Sequence, residues 1–359
     1  MKKNVSLQSI FSNLGSSFSF SRIQGLVEDL IDKEYQFGIF EESPQIIIDL
    51  SFSMRNDVLS CDVWDSESKT IKYVSVNNTA DYIKKLYRVK GLYRCAVLMA
   101  HDSPYGRLAG SGLALVPDTE EDLPKQEEEK RLSQYFGKQL NINAESNDTE
   151  VSYYFFDKAD NFKRYMVSAI PGENKRKLLS DESVFGGIMD GNIIATRVVD
   201  RVLPLSDYIV KRYAEPSVQM YLCIEQRGRD LLIWNLYQVS EGKYVPVVVE
   251  KKKVPQVETY DQLVAYLNLI EHEMVRTKNY APPEKVVILT NGEKMIDMDL
   301  FRPSDLKRAC LEVLGGEEDS DAVSIYEIDN AAIMGVLDIE QEISERQDEI
   351  FENAVRRDR

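Results

Sequence analysis

Histidine is almost missing from this chain, with only His101 and His272 among 359 residues. A metal centre built on several imidazoles is therefore excluded. The four cysteines, Cys61, Cys95, Cys223 and Cys310, are widely scattered, and no pair has metal-ligand spacing. Three of them sit in apolar runs, where a thiol is usually a small core residue, so reduced cysteines and a cytoplasmic setting are expected. Basic charge is also short. Lys and Arg number 44 against 60 Asp and Glu, a net charge of −16. Such a chain repels nucleic acid and anionic lipid, so neither is an expected partner. Gly (18) and Pro (12) are too sparse for a fibrous or low-complexity protein. No apolar run approaches the roughly 18 residues that a bilayer-spanning helix needs. Behind Lys2 and Lys3, "NVSLQSIFSNLGSSFSFS" is broken by Ser, Asn and Gln, so it lacks the apolar centre of a signal peptide.

What is present is enough apolar residue, 43%, for large cores, at a length that suggests about two domains. Ser21 can cap a helix with Ile23, Leu26, Val27, Leu30 and Ile31 at helical spacing. Three strand signals follow, Ile46–Leu50, Val58–Trp64 and Ile71–Val76, separated by short polar gaps. That pattern predicts an antiparallel meander. A helix over Asn78–Arg88 and a buried strand at Cys95–Met99 come next. After Pro204 the plan repeats. Met220–Ile224, Leu231–Gln238 and Tyr244–Glu250 read as strands, Asp261–Thr277 as a helix with Leu263, Leu267, Ile270 and Met274 on one stripe, and "KVVILTNG" as a strand and turn. Between the copies lie an acidic loop, a helix around Glu127–Leu140 and two strands, "EVSYYFFD" and "RYMVSAIP". The fold class is thus α/β, two β-β-β-α-β halves with an inserted small α+β subdomain. Boundaries fall at 1–43 for an N-terminal tail and helix, 44–106 for the first half, 107–171 for the insert, 172–219 for connector helices, 220–338 for the second half and 339–359 for an amphipathic C-terminal helix.

Two such copies resemble the actin, Hsp70 and sugar-kinase superfamily, whose halves are RNase H-like. The finer resemblance is to PilM-type proteins of type IV pilus assembly and to the GspL cytoplasmic domain of type II secretion. It spans roughly 44–338 and is carried by order and spacing, including "YFGKQLNINAESNDTEVSYYFFDKADNFKRYMVSAIP" for the insert and "IYEIDNAAIMGVLDI" for the closing helix. The resemblance implies a nucleotide between the halves. Its first hairpin would supply Asp49 for the metal and hydroxyls from Ser51 and Ser53. Its second, "CIEQRGRDLLIW", would supply Glu225 and Gly228, and the adenosine loop Asn291 and Gly292.

Glycines are what these three loops lack. A phosphate cradle brings backbone N–H groups close to the ligand, and glycine permits that approach. Here Leu50 and Phe52, then Gln226, Arg227 and Arg229, stand where small residues belong. Arg227 and Arg229 are the alternative, side-chain grips on phosphate. The expected function is a non-catalytic cytoplasmic platform of a pilus or type II secretion-like machine. It would lie at the inner face of a bacterial inner membrane and bind the cytoplasmic tail of a bitopic membrane protein. No cofactor is expected beyond weak ATP and Mg²⁺. The alternative is an actin-like ATPase or small-molecule kinase using Asp49 and Mg-ATP.

Overall fold

The computed structural model describes residues 44–51, 60–75, 94–99, 102–103, 106–107, 111–117, 149–159, 161–180, 195–227, 230–247, 257, 259–277, 279–290, 301–317 and 320–357, with single residues at 81, 82, 85, 127 and 130. The predicted N-terminal helix, Ser53, His101, Gly228, Asn291 and Gly292 lie outside them.

Strand β1 (Ile46–Ser51) is a nearly continuous apolar run, as suits a strand covered on both faces. It pairs antiparallel with β2 (Ser60–Asp65), which pairs antiparallel with β3 (Thr70–Ser75). On the other side β1 runs parallel to β4 (Arg94–Met99). A short hairpin of β5 (Asp102–Ser103) and β6 (Gly106–Arg107) leads to β7 (Ser111–Pro117). With β8 (Thr149–Ala159) and β9 (Phe162–Pro171), β7 forms a separate three-stranded antiparallel sheet. Helix α1 (Gly172–Leu179) follows, then β10 (Ala195–Asp200) and α2 (Val202–Tyr213). The segment 172–219, expected as connector helices, thus contains a strand between two helices.

The second half opens with the meander β11 (Met220–Arg227), β12 (Asp230–Ser240) and β13 (Lys243–Val247). Helix α3 (Tyr260–His272) is entered through a capping box. Thr259 Oγ1 accepts from the Gln262 N–H, and Gln262 Oε1 accepts from the Thr259 N–H. Leu263, Leu267 and Ile270 on α3, and Met274 in the helical turn Glu273–Thr277 that continues it, are buried, as the spacing predicts. Then come β14 (Lys285–Thr290), α4 (Pro303–Leu314), β15 (Val323–Glu327) and α5 (Ala331–Arg357). Gly315 ends α4 in the left-handed region, where glycine is unstrained. The closing helix and the C-terminal amphipathic helix, expected as separate segments, are one helix, α5.

Two five-stranded sheets result. Their orders are β10-β4-β1-β2-β3 and β13-β12-β11-β14-β15. Read from the meander edge, both run third, second, first, fourth, fifth, with the last two strands parallel to the first. The predicted meanders are therefore joined by a fifth strand in each half. One core lies between the first sheet and the inserted sheet, where Ile46, Ile48, Leu50, Val97, Ala114, Tyr153, Tyr165 and Val167 meet. Another packs α3 and α4 on the second sheet through Leu222, Ile224, Leu263, Leu267, Ile288, Leu306 and Cys310. Each large aliphatic side chain so buried contributes about 1.5–3 kcal/mol. Residues Phe37–Glu340 make one compact unit, and the later part of α5, from Gln341, belongs to a second.

Candidate functional site

The first strand of each sheet carries one carboxylate at the equivalent position. Asp49 on β1 is in register with Leu98 of β4 and Asp62 of β2. Glu225 on β11 is in register with Leu289 of β14 and Leu232 of β12. Both are buried, Asp49 at 0% and Glu225 at 7% exposure. Asp49 and Glu225 thus stand at equivalent points of the two sheets.

The corner between β10 and α2 brings the two together. Side chains alternate direction along a strand and through its end. Asp200, the last residue of β10, is in register with Met99 and turns toward the inserted sheet, where Ser168 Oγ accepts from the Asp200 N–H at 2.8 Å. Arg201 turns the other way. Its Nη1 and Nη2 donate to Glu225 Oε2 and Oε1 at 2.6 and 2.7 Å. Its Nη2 donates to Asp49 Oδ2 at 3.0 Å, and its Nε lies 2.6 Å from Asp49 Oδ1. One planar fork thus binds two carboxylates from two sheets, a geometry that arginine has and lysine lacks. Arg201 is 3% exposed. Burial works against its charge, but Asp49 and Glu225 outweigh it and hold the guanidinium above its ordinary value.

The surroundings keep this corner in place. Helix α2 is buried along Val202–Ser206. Ser206 Oγ donates to the Val202 carbonyl at 2.6 Å and accepts from Trp234 Nε1 at 3.0 Å, which fixes α2 on β12. Gly335 of α5 meets Pro204 of α2 so closely that an added Cβ would lie 1.9 Å from the Pro204 carbonyl oxygen. The strand order, a matched carboxylate on each first strand and a helix leaving each fifth strand are now in place. This is the arrangement that the resemblance to actin-like proteins implies.

No family model and no curated protein matches the sequence. Among solved structures, one similar chain is a Bacteroides thetaiotaomicron protein described as having an actin-like ATPase fold and unknown function. It shares 13% identity, with 83% of this chain and 98% of that one covered and a TM-score of 0.41. A PilM–PilN type IV pilus biogenesis complex is similar at 13% identity, covering 85% and 98%, with a TM-score of 0.45. A ROK family glucokinase from Streptomyces griseus, in complex with glucose and AMPPNP, is similar at 12% identity, covering 83% and 99%, with a TM-score of 0.33.

In an actin-like cleft, the resemblance implies Asp49 facing a metal and a phosphate. The arrangement here does not fit that group. The space between the two carboxylates holds the Arg201 guanidinium, within ion-pair distance of both. Of the other expected contributors, Ser51 ends β1 and is described only in its backbone. Among the described residues no cluster of three or more His, Cys, Asp or Glu could hold a metal ion, and no helix is long and apolar enough to cross a membrane.

Sequence reasoning missed Arg201 and Asp200. A signal was there. In "VVDRVLPL" two charged residues interrupt an apolar run, and charges buried in such a run need partners.

A second polar cluster ties the inserted sheet to the second half. Asp157 on β8 pairs with Arg164 on β9 and with Lys243 on β13, the latter at 3.0 Å. Partial burial raises the Asp157 carboxyl, yet hydrogen bonds from Arg164 and Lys243 hold it below its ordinary value.

Proposed function

We propose that this chain is a non-catalytic actin-like platform, the cytoplasmic scaffold of a type IV pilus or type II secretion-like machine, which binds the cytoplasmic segment of an inner-membrane partner. The observation that carries the reading is Arg201. A buried guanidinium bound to Asp49 and Glu225 supplies from within the chain the positive charge that a nucleotide's metal ion would bring. A ligand that needs this space must first break the fork and leave a buried cation behind, which is costly. The missing glycines add to this, since they remove the backbone approach on which phosphate binding depends. With turnover set aside, the inserted sheet is the element that distinguishes the chain from two bare halves, and it is where the partner segment is placed.

The test has two arms. Calorimetry with Mg-ATP on the purified protein is expected to show no saturable heat. Micromolar binding that Asp49→Ala abolishes would overturn the non-catalytic reading. In the second arm the tagged chain is expected to retain a bitopic inner-membrane protein whose cytoplasmic peptide alone competes for binding. Retention of soluble proteins only would overturn the platform.

A further inference from the structure

The inserted sheet is held in different ways on its two sides. Toward the first half it shares a core, in which Ala114, Tyr153, Tyr165 and Val167 meet Ile48, Leu50 and Val97. Near the β10–α2 corner, Ser168 Oγ on β9 accepts from the Asp200 N–H. Arg164 lies four residues back along β9, about 13 Å away. At that end the sheet meets the second half, where β13 lies alongside β7. There the contact is polar. Lys243 Nζ, at the start of β13, donates to Asp157 Oδ2 at 3.0 Å.

The backbone is irregular on both sides of this bridge. By strict alternation Asp157 would follow Tyr153 and Phe155 onto the core face of β8. A bulge prevents it. Phe155 is in register with Tyr165 and Asp157 with Arg164, so Phe156 is an extra residue and Asp157 is moved to the face of Arg164. Arg164 Nε and Nη2 donate to the two carboxylate oxygens of Asp157. Arg164 Cζ and Lys243 Nζ each lie 5.7 Å from the centroid of the Phe156 ring. Across the gap, the β12–β13 hairpin has a bulge of its own between Gln238 and Ser240. Gly242, in the turn that delivers Lys243, takes a φ of +70°, where glycine is favoured.

This bridge differs from the Arg201 fork in what its loss leaves behind. Without Arg201, Asp49 and Glu225 lose the cation they share while buried. Without Lys243, Asp157 keeps both bonds from Arg164, and the Lys243 ammonium, on a side chain 47% exposed, returns to water. No buried charge is stranded. The bridge therefore opens at the cost of an exposed ion pair, and salt screens it. We propose that Asp157–Lys243 is a releasable latch. The inserted sheet moves with the first half, pivots where β9 meets the β10–α2 corner, and is fastened to the second half by this bridge. Opening separates β7 from β13, each the edge strand of its sheet, and leaves the Arg201 fork intact. The inference does not rest on the platform reading. It needs only the packing of the inserted sheet on the first half and the bulge that aims Asp157.

Spin labels on the full chain test it. One is placed at Asn161→Cys, on the β8–β9 turn, and one at Glu241→Cys, on the β12–β13 turn, both exposed positions. The four native cysteines are buried. Pulsed electron resonance is expected to find one distance at about 0.05 M KCl and a second, longer one whose share grows about threefold by about 1 M. Lys243→Met is expected to show the larger long-distance share at both salt concentrations. A wild-type distribution that salt leaves unchanged overturns the latch, and so does a salt response that persists in Lys243→Met. Should Lys243→Met fold poorly, Lys243→Gln takes its place under the same two criteria.

Discussion

Replacing Arg201 with methionine removes the buried cation and keeps most of its bulk. Asp49 and Glu225 then stay buried without the cation they share. Breaking a buried ion pair from one side costs about 3–5 kcal/mol. That is a large part of the roughly 5–15 kcal/mol that holds a typical domain folded. Urea unfolding measures the loss, with Trp234, packed under α2 through Ser206, as the reporter. Adding Asp49→Asn and Glu225→Gln to Arg201→Met removes the stranded charges and is expected to recover at least half of the loss. A cost for Arg201→Met below about 1 kcal/mol, the range of exposed pairs, would refute the argument. So would a triple variant no more stable than the single one.

Two further predictions concern packing. Gly335→Ala places a methyl group where the Pro204 carbonyl lies, and a backbone atom cannot swing aside. A loss of about 1–3 kcal/mol or more is expected by thermal melting, while Met334→Ala, on a half-exposed neighbour, should change little; an equal effect of the two would contradict the close contact. The thiols of Cys95 and Cys310 are pushed by burial up to about 12, and Cys61 and Cys223 are buried too. Thiol reagents at pH 8 should therefore find no fast-reacting cysteine among the four until urea unfolds the chain, and rapid labelling of the native protein would count against these cores.

Much of the architecture could be read from the sequence because its signals are local. Both meanders were marked by apolar runs cut by short polar gaps, and α3 by a stripe of helical period. The fifth strands were not marked. β10, "ATRVVD", is short and carries charge, and its place beside β4 is set by tertiary pairing rather than by its own pattern. β15, "VSIYE", is five residues long and gives too few alternations to stand out. The site was half legible for the same reason. Asp49 and Glu225 sat at matching places in a repeat and could be found by comparing the copies. Arg201 belongs to the corner that follows β10, so only the folded sheet order reveals that it reaches both.

A ligand stabilises its protein by mass action, in proportion to its free concentration, and its hold is lost on dilution or depletion. The cation between Asp49 and Glu225 is bonded to the chain and has no concentration. The link it makes between the two sheets is thus independent of dialysis and of chelators.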